Sequence, residues 1–351
     1  MTGRRRSVGP DDLVAVTGAG GFIGSHIVRA ALRRGARVRA VIEPGTTTAN
    51  VDGTDAELAE ADVRDRRAVE AAVGGASLVV HAAALYRFWL PHAADFYDVN
   101  VGGTRNVIEA AATLGCRVVV TSTVGTIGLD EQGRSDAVEG DFPRVEQLYG
   151  HYKRSKYVAE HEALRLAAEG ADVVLTQPTF PVGDGDRTPT PTGGTIVRFL
   201  DGKMPAYVDT VLNVVDVDDV AEGHLLAAEC GEVGRSYILG GQNVSLREVL
   251  VILGAHTGLP VPRHRVPAWT TLVAGRVSTF VEGRLLQREP TVPYEAARMA
   301  TSHMAFDDRR AREELGYRSR PPGPALARAA DWFVANGYVS PARRRLIRPP
   351  T

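Results

Sequence analysis

Thr17-Gly18-Ala19-Gly20-Gly21-Phe22-Ile23-Gly24 follows a short apolar run of β-formers at 13–17 and opens a stretch in which Ile23, Ile27, Val28, Ala31 and Leu32 recur at helical spacing. A strand that turns through glycines into a helix is built for a dinucleotide. Gly18 allows the tight turn, Gly21 lets the backbone approach a pyrophosphate, and Gly24 lets the helix pack close to the strand. The helix N-terminus adds free N–H groups and a partial positive charge. Glycines alone would also serve a merely tight turn; their place between strand and helix in a βαβ unit carries the reading.

Outward from that turn the alternation repeats. Gly35 stops the helix, and strands at 38–42 and 58–61, a helix at 66–73, a strand at 78–81, a helix at 94–114, a strand at 117–121, a helix at 149–168 and a strand at 173–176 follow. Successive βα units demand a parallel sheet covered by helices on both faces, so the fold class is α/β, a Rossmann-type doubly wound parallel sheet. From 178 to 205 the chain is rich in Pro, Gly and Thr and reads as loop. Residues 214–220, a helix to about 229 and residues 236–239 read as a return to the sheet. The expected organisation is a dinucleotide-binding domain at 11–178, completed by about 213–242. A smaller C-terminal substrate-binding domain takes 179–212 and 243–340. Tails occupy 1–10 and 341–351, with Arg4-Arg5-Arg6 and Arg343-Arg344-Arg345 as solvated basic ends. After Pro267, Trp269, Leu272, Val273, Val277, Phe280 and Val281 fall at helical spacing; they either wall an apolar pocket or join the core, and core is the expectation.

A chain of 351 residues, 44% hydrophobic and 24% charged with a net charge of −1, is ordinary for a globular protein. That balance gives no general reason to expect nucleic acid or an anionic membrane as partner. The two cysteines, Cys116 and Cys230, lie far apart with no metal-ligand spacing around them, which suggests neither a disulfide framework nor a zinc site. With no apolar leader and no run of about 18 apolar residues, the expectation is a cytoplasmic protein without an integral membrane segment.

Glu43 ends the second strand, about 25 residues past Gly18, where a carboxylate accepts hydrogen bonds from the adenosine ribose and repels a 2′-phosphate. NAD is therefore favoured; NADP stays open because Arg37 and Arg39 lie close, and Glu43 reads alternatively as a solvated loop carboxylate. Asp62-Val63 is placed to hold the adenine edge. Tyr152 and Lys156 have the i, i+4 spacing that puts both on one helix face. Reduction of a carbonyl by a nicotinamide needs a proton donor, and a phenol of pKa about 10 needs roughly 4 kcal/mol of extra phenolate stabilisation to titrate near neutrality. A neighbouring ammonium and the oxidised nicotinamide are the expected sources. Tyr149 and Lys153 share the spacing. A hydroxyl after the fifth strand, Thr123 or else Ser122, completes the constellation by bonding the substrate oxygen. His81 reads as structural more readily than catalytic. Ala82-Ala83-Ala84 would let backbone pass near the cofactor, and Tyr86-Arg87-Phe88-Trp89 is an aromatic loop that either overhangs the site or plugs the core.

With glycine turn, hydroxyl and Tyr/Lys pair in this order, the chain resembles the extended short-chain dehydrogenases/reductases of the NAD-dependent epimerase/dehydratase family, from about 13 to 338. The family's Tyr-x-x-Ser-Lys segment matches Tyr152 to Lys156 and not Tyr149 to Lys153, and its catalytic hydroxyl falls on Thr123, where serine is commoner. Asn100-Val101-Gly102-Gly103-Thr104 matches a family helix whose Asn helps order the active site. The resemblance also implies cofactor contacts from Pro178 and Thr179, substrate contacts from Tyr86, Thr123, Tyr152 and Thr192, and a homodimer through the helices at 94–114 and 149–168. Within the family the chain is similar to hopanoid-associated sugar epimerase-like and dihydroflavonol 4-reductase-like proteins. Gln177 stands where nucleotide-sugar epimerases usually carry an Asn. The expected activity is hydride transfer between nicotinamide and a small carbonyl or alcohol, with Tyr152 as general acid/base. The alternatives are a nucleotide-sugar epimerase/dehydratase with tightly bound NAD, and a non-catalytic dinucleotide sensor.

Overall fold

A computed structural model describes residues 7–130 and 135–348; the expectation for Arg4-Arg5-Arg6 lies outside the described residues. The wholly buried β1 (Leu13–Thr17) turns into α1 (Phe22–Arg33), and β2 (Arg37–Ile42), β3 (Glu57–Glu60), α2 (Arg66–Val73) and β4 (Leu78–His81) follow. The helix expected at 94–114 comes in three pieces: α3 (Ala94–Tyr97), a π-helical turn (Asp98–Gly103) and α4 (Thr104–Leu114). A Cβ on Gly103 would lie 2.6 Å from the Val63 side chain, so this glycine lets the widened turn press against the exit of β3. Next come β5 (Arg117–Thr121), α5 (Gly150–Ala168), β6 (Val173–Pro178), β7 (Phe180–Val182) and α6 (Pro191–Leu200). The chain continues through β8 (Ala206–Val208), β9 (Val211–Asp216), α7 (Val217–Cys230), β10 (Ser236–Leu239), β11 (Gln242–Ser245), α8 (Leu246–Thr257), β12 (His264–Val266), α9 (Ala268–Ser278), α10 (Tyr294–Ala300), α11 (Pro322–Ala335) and α12 (Pro341–Arg344).

Seven parallel strands form the main sheet in the order β10-β6-β5-β4-β1-β2-β3. The order reverses between β1 and β4, which opens a crevice at the carboxyl ends of the strands. The doubly wound Rossmann-type sheet expected from the βα alternation is thus what forms. Apolar clusters cover both of its faces, through Ile27, Val28 and Leu225 on one side and Val107, Ile108 and Ala163 on the other. A third cluster, with Ile196, Leu250, Leu326 and Phe333 at its centre, sits under α6, α8 and α11.

Four expectations change. The stretch 178–205 is not loop throughout: it holds β7 and α6, whose start is fixed by the Thr190 side chain accepting from Gly193 N at 3.2 Å and by proline at the first helical position. Pro and Thr there are helix-start signals rather than turn signals. The segment around 214 does not rejoin the main sheet. β9 pairs with β7 and β11 in a separate three-stranded sheet, held by the buried Asn213, which accepts from Gly241 N at 2.7 Å and donates to Asn243 Oδ1 at 2.6 Å.

The apolar stripe after Pro267 does not join the core: Trp269, Val273 and Val277 are 65%, 52% and 57% exposed. The inward side of α9 is its small-residue side, where a Cβ on Gly275 would lie 2.8 Å from that of Ala297 on α10. Finally, residues 341–348 are tethered to the body of the protein, although Arg344 and Arg345 stay exposed as expected. They include α12, Arg343 Nε donates to Leu200 O at 3.3 Å, and Arg348 N donates to Thr257 O at 2.9 Å.

Candidate active site

The crevice is a cavity of about 440 Å³ lined by the ends of β1, β2, β4, β5 and β6. Gly18 takes a left-handed φ of +70° and a Cβ there would lie 2.6 Å from Ala83 N, while a Cβ on Gly24 would run into the Gly18 carbonyl. Both close approaches belong to glycine alone. Helix α1 begins at Gly21 with no side-chain cap and no acid in its first turn, and Gly21, Phe22, Ile23 and Gly24 all line the cavity. An uncapped helix N-terminus facing a crevice is suited to bind a phosphate. The residues present therefore fit a dinucleotide.

Along the same wall lie Glu43, Thr46, Thr47, Asp62 and Val63. Glu43 is exposed at the end of β2. Arg39 is occupied: its guanidinium donates to the Ala72 and Gly74 carbonyls at 3.1 and 2.7 Å and pairs with Glu57. Arg37 begins β2, at the far end of the strand from Glu43. Arg64 grips Asp62 with Nε 2.9 Å from Oδ2, and that bond holds the carboxyl below its usual range.

Opposite the glycines, Ala82, Ala83, Ala84, Tyr86, Thr123, Tyr152, Lys156, Pro178, Thr179 and Thr192 line the cavity. The Tyr152 and Thr123 side chains both face the cavity, and Lys156 Nζ donates to Thr121 O at 2.8 Å. The Tyr86 ring lies 4.7 Å from that of Tyr152, so the aromatic loop overhangs the site rather than plugging the core. Burial raises the Tyr152 phenol above its ordinary value, partly opposed by the nearby Thr123 hydroxyl, and pushes the Lys156 ammonium down to about 8. Burial thus raises the phenol where a lowering by the neighbouring ammonium was expected. The phenol holds its proton.

Tyr149 and Lys153 stand outside the cavity. Lys153 Nζ sits 4.2 Å from the Tyr149 ring centre, and Arg298 on α10 approaches the same ring at 5.0 Å. Asn100 lies behind the site, accepting from Leu85 N at 2.8 Å and donating to Ser155 Oγ at 2.9 Å. It thereby ties the loop carrying Tyr86 to the middle of α5. His81 is buried between Thr17 and Thr104, its Nδ1 2.8 Å from Thr17 Oγ1 and its Nε2 3.0 Å from Thr104 Oγ1, and burial presses it down to about 3.

Three groups escaped the reading of the sequence. Glu160 accepts from Ser122 and from Thr126 at 2.8 Å, and from Gln177 Nε2 at 3.1 Å, so the Ser122 hydroxyl and the Gln177 amide are engaged by this carboxylate. It sits i+4 from Lys156, which continues the Tyr152–Lys156 face, and that spacing was available as a signal. Asn50 donates to Gly20 O at 3.0 Å and to Gly185 O at 2.9 Å and accepts from Arg187 Nε at 2.9 Å, clamping the glycine turn to the loop after β7. Asp186, on that loop, takes Thr190 N at 3.0 Å and Thr190 Oγ1 at 2.8 Å and is raised by burial to about 6. Nothing local in the sequence singles out either.

Residues 14–240 match the model of the NAD dependent epimerase/dehydratase family. The chain is similar to a "Putative dihydroflavonol 4-reductase" of Synechocystis sp., 40% identical over 93% of this chain and 96% of that one. It is also similar to "Sterol demethylase protein B" of Methylococcus capsulatus, 34% identical over 92% of this chain and 99% of that one. The solved structure of gox2253 superposes with a TM-score of 0.83 at 37% identity, covering 94% of this chain and 100% of that one. With a parallel sheet that reverses at a bare glycine turn and a family match spanning its sheet, this chain belongs to the NAD dependent epimerase/dehydratase family and is an NAD(P)-dependent enzyme of the extended short-chain dehydrogenase/reductase fold.

Proposed function

We propose that the protein is an NAD-dependent carbonyl reductase or alcohol dehydrogenase for a weakly polar substrate. The observation that carries this is the convergence of the Tyr152 and Thr123 hydroxyls on one cavity walled by the Tyr86 ring. A carbonyl oxygen set between these two hydroxyls meets a donor that stays protonated until needed. When bound, the nicotinamide supplies or takes up the hydride. In the reducing direction Tyr152 gives its proton to the substrate oxygen, Thr123 donates a hydrogen bond to that oxygen, and the Lys156 ammonium stabilises the phenolate left behind. Tyr86 and Thr192 wall the substrate. Asn100 acts as a positioning residue through Ser155 and Leu85.

NAD is favoured over NADP because Glu43 is free while Arg39 and Arg64 are tied to Glu57 and Asp62. A nucleotide-sugar substrate would call for cations beside its diphosphate. Lys203 is exposed and paired with Asp201, Arg187 is bonded to Asn50, and Gln177 faces Glu160. The names of the two curated relatives, a flavonoid reductase and a sterol protein, point the same way, to a polycyclic substrate of low charge. The two-domain division, with 179–212 and 243–340 holding substrate, belongs to the same proposal, as do a homodimer through α4 and α5 and a cytoplasmic place consistent with two free cysteines.

The test is purified protein mixed with NADH or NADPH and a panel of flavanone, steroid and simple aromatic ketones. Consumption of NADH with matched alcohol formation is expected. Copurified NAD with sugar turnover and no net redox change would replace this reading by the epimerase, and binding without turnover by the sensor.

A further inference from the structure

We propose that the outer face of α9 and of the π-helical turn continuing it, residues 268–286, docks on an anionic lipid surface beside the mouth of the active-site cavity. Trp269, Val273, Val277, Val281 and Leu285 follow one another every fourth residue and are 65%, 52%, 57%, 40% and 63% exposed. With Phe280 and Leu286 they make seven of the sixteen exposed large apolar side chains among the described residues, packed into eighteen positions. A cluster of that density is a patch, not the scatter normal to a monomer surface.

Charge chooses the occupant. Arg263, Arg265, Arg276, Arg284 and Arg288 stand against the single acid Glu282 between 263 and 288, a formal +4 in a chain whose total is −1. Arg288 and Arg265 are paired, with Glu282 and Asp209, and Arg263, Arg276 and Arg284 have no carboxylate partner among the described residues. An apolar stripe with basic flanks is the composition of a helix lying in a membrane interface, its arginine heads reaching the phosphates while their stems stay with the apolar face. A second copy fits less well, because a two-fold contact would bring the same cationic rim against itself. With 11 residues α9 is about 16 Å long, and no helix of the described residues is long and apolar enough to cross a membrane, so the contact is peripheral. The near-neutral total charge conceals this local excess, which is why composition alone argued against a membrane.

The face adjoins the cavity. A Cβ on Gly283 would lie 3.1 Å from Trp89 Nε1, and Trp89 closes the loop whose Tyr86 and Arg87 line the site. A substrate partitioned into lipid would reach the cavity without crossing water. The docking face itself does not depend on the catalytic reading, since lipid binding is measured without substrate.

Full-length protein is floated with phosphatidylcholine vesicles with and without phosphatidylglycerol. The expected result is recovery with the anionic vesicles, falling with added salt. Recovery falls by at least about tenfold when Trp269→Ser, Val277→Ser and Phe280→Ser are combined, and falls also for Arg263→Glu with Arg284→Glu. NAD binding and the thermal midpoint are unchanged by the charge reversals, which alter only exposed side chains and so keep the test independent of the triple variant's folding. Failure of the wild-type protein to float with either vesicle overturns the proposal. So does equal recovery of all variants, or a solution dimer that the triple variant splits, which would give the face to a second copy.

Discussion

The Lys156 ammonium, one turn beyond Tyr152 on α5, donates a hydrogen bond to the Thr121 carbonyl at 2.8 Å, two residues before Thr123. The acid and the group that steadies its oxygen thus hang from two elements, helix and strand end, locked together by the lysine. Tyr152→Phe removes the only proton these contacts can deliver to substrate and lowers kcat by about 10²–10⁴-fold with NAD affinity held. Tyr149→Phe, which keeps the ring against Lys153 and Arg298 and removes a hydroxyl that has no hydrogen-bond partner among the described residues, leaves turnover within a few-fold. Steady-state kinetics beside NAD titration checks both, and the opposite pattern would move the active tyrosine by one helical turn.

Glu160 gathers the hydroxyls of Ser122 and Thr126 and the amide of Gln177 on a single carboxylate. Glu160→Ala strands those donors in a partly buried place, at a cost of about 1–3 kcal/mol, and loosens the turn that carries Thr123. The expected outcome is a lower midpoint in urea together with a fall in kcat and little change in the KM for NADH. Glu160→Gln, which keeps an acceptor for Ser122, restores part of both.

How much of this was legible beforehand follows from the range over which each signal acts. The glycine turn, the Tyr152–Lys156 face and the parallel order of βα units rest on spacings within a few residues, and each stands in the structure where the sequence placed it. What local pattern does not contain is which sheet an apolar strand joins: the run ending at Asp216 looks like its neighbours, yet the amide of Asn213 commits it to β11. Nor does helical periodicity say which side faces in. On α9 the small Gly275 wins the contact with Ala297 of α10 because the pair allows closer approach, and the large apolar side chains are left outside. Asn50 joins segments more than a hundred residues apart, and no window of sequence contains that fact.

Glu43 lines the cavity and makes no ion pair among the described residues, whereas Arg39 is spent on the end of α2. Glu43→Arg exchanges a group that repels a 2′-phosphate for one that pairs with it. The ratio of NAD to NADP efficiency should fall by roughly a hundredfold, the worth of one charged hydrogen bond gained and one lost. Equal preference in both proteins would show that ribose recognition lies elsewhere.

Gly24 is closed in by the Gly18 carbonyl, and even a methyl group has no room. In Gly24→Ala helix α1 must retreat from β1, at a cost of about 1–3 kcal/mol, and the uncapped N-terminus moves with it. Both the thermal midpoint and NAD affinity should drop. Gly45→Ala serves as the control: its φ of +77° is strained but nothing lies within 4 Å, so it should lose stability without losing NAD.

His81 sets the acid limit of the fold. The Thr104 hydroxyl donates to Asn100 O at 2.6 Å, so at the 3.0 Å contact Nε2 must be the donor to Thr104, and Nδ1 then accepts from Thr17 at 2.8 Å: a neutral ring with its proton on Nε2. Burial, helped by the nearby Lys156, depresses the folded value to about 3, whereas an unfolded histidine titrates near 6.5. A depressed folded value means that the unfolded chain takes up the proton first. The stability owed to the neutral ring is full above about pH 6.5 and is lost at about 1.4 kcal/mol per pH unit as pH falls towards 3. His224, pressed by burial to about 4 between Thr121 and Thr176, adds a parallel loss over a shorter window. Urea unfolding from pH 7 to pH 5 should therefore show a steep decline. His81→Gln, less stable at pH 7, should show a slope shallower by about 1.4 kcal/mol per pH unit; parallel slopes would mean that the ring is charged in the folded protein.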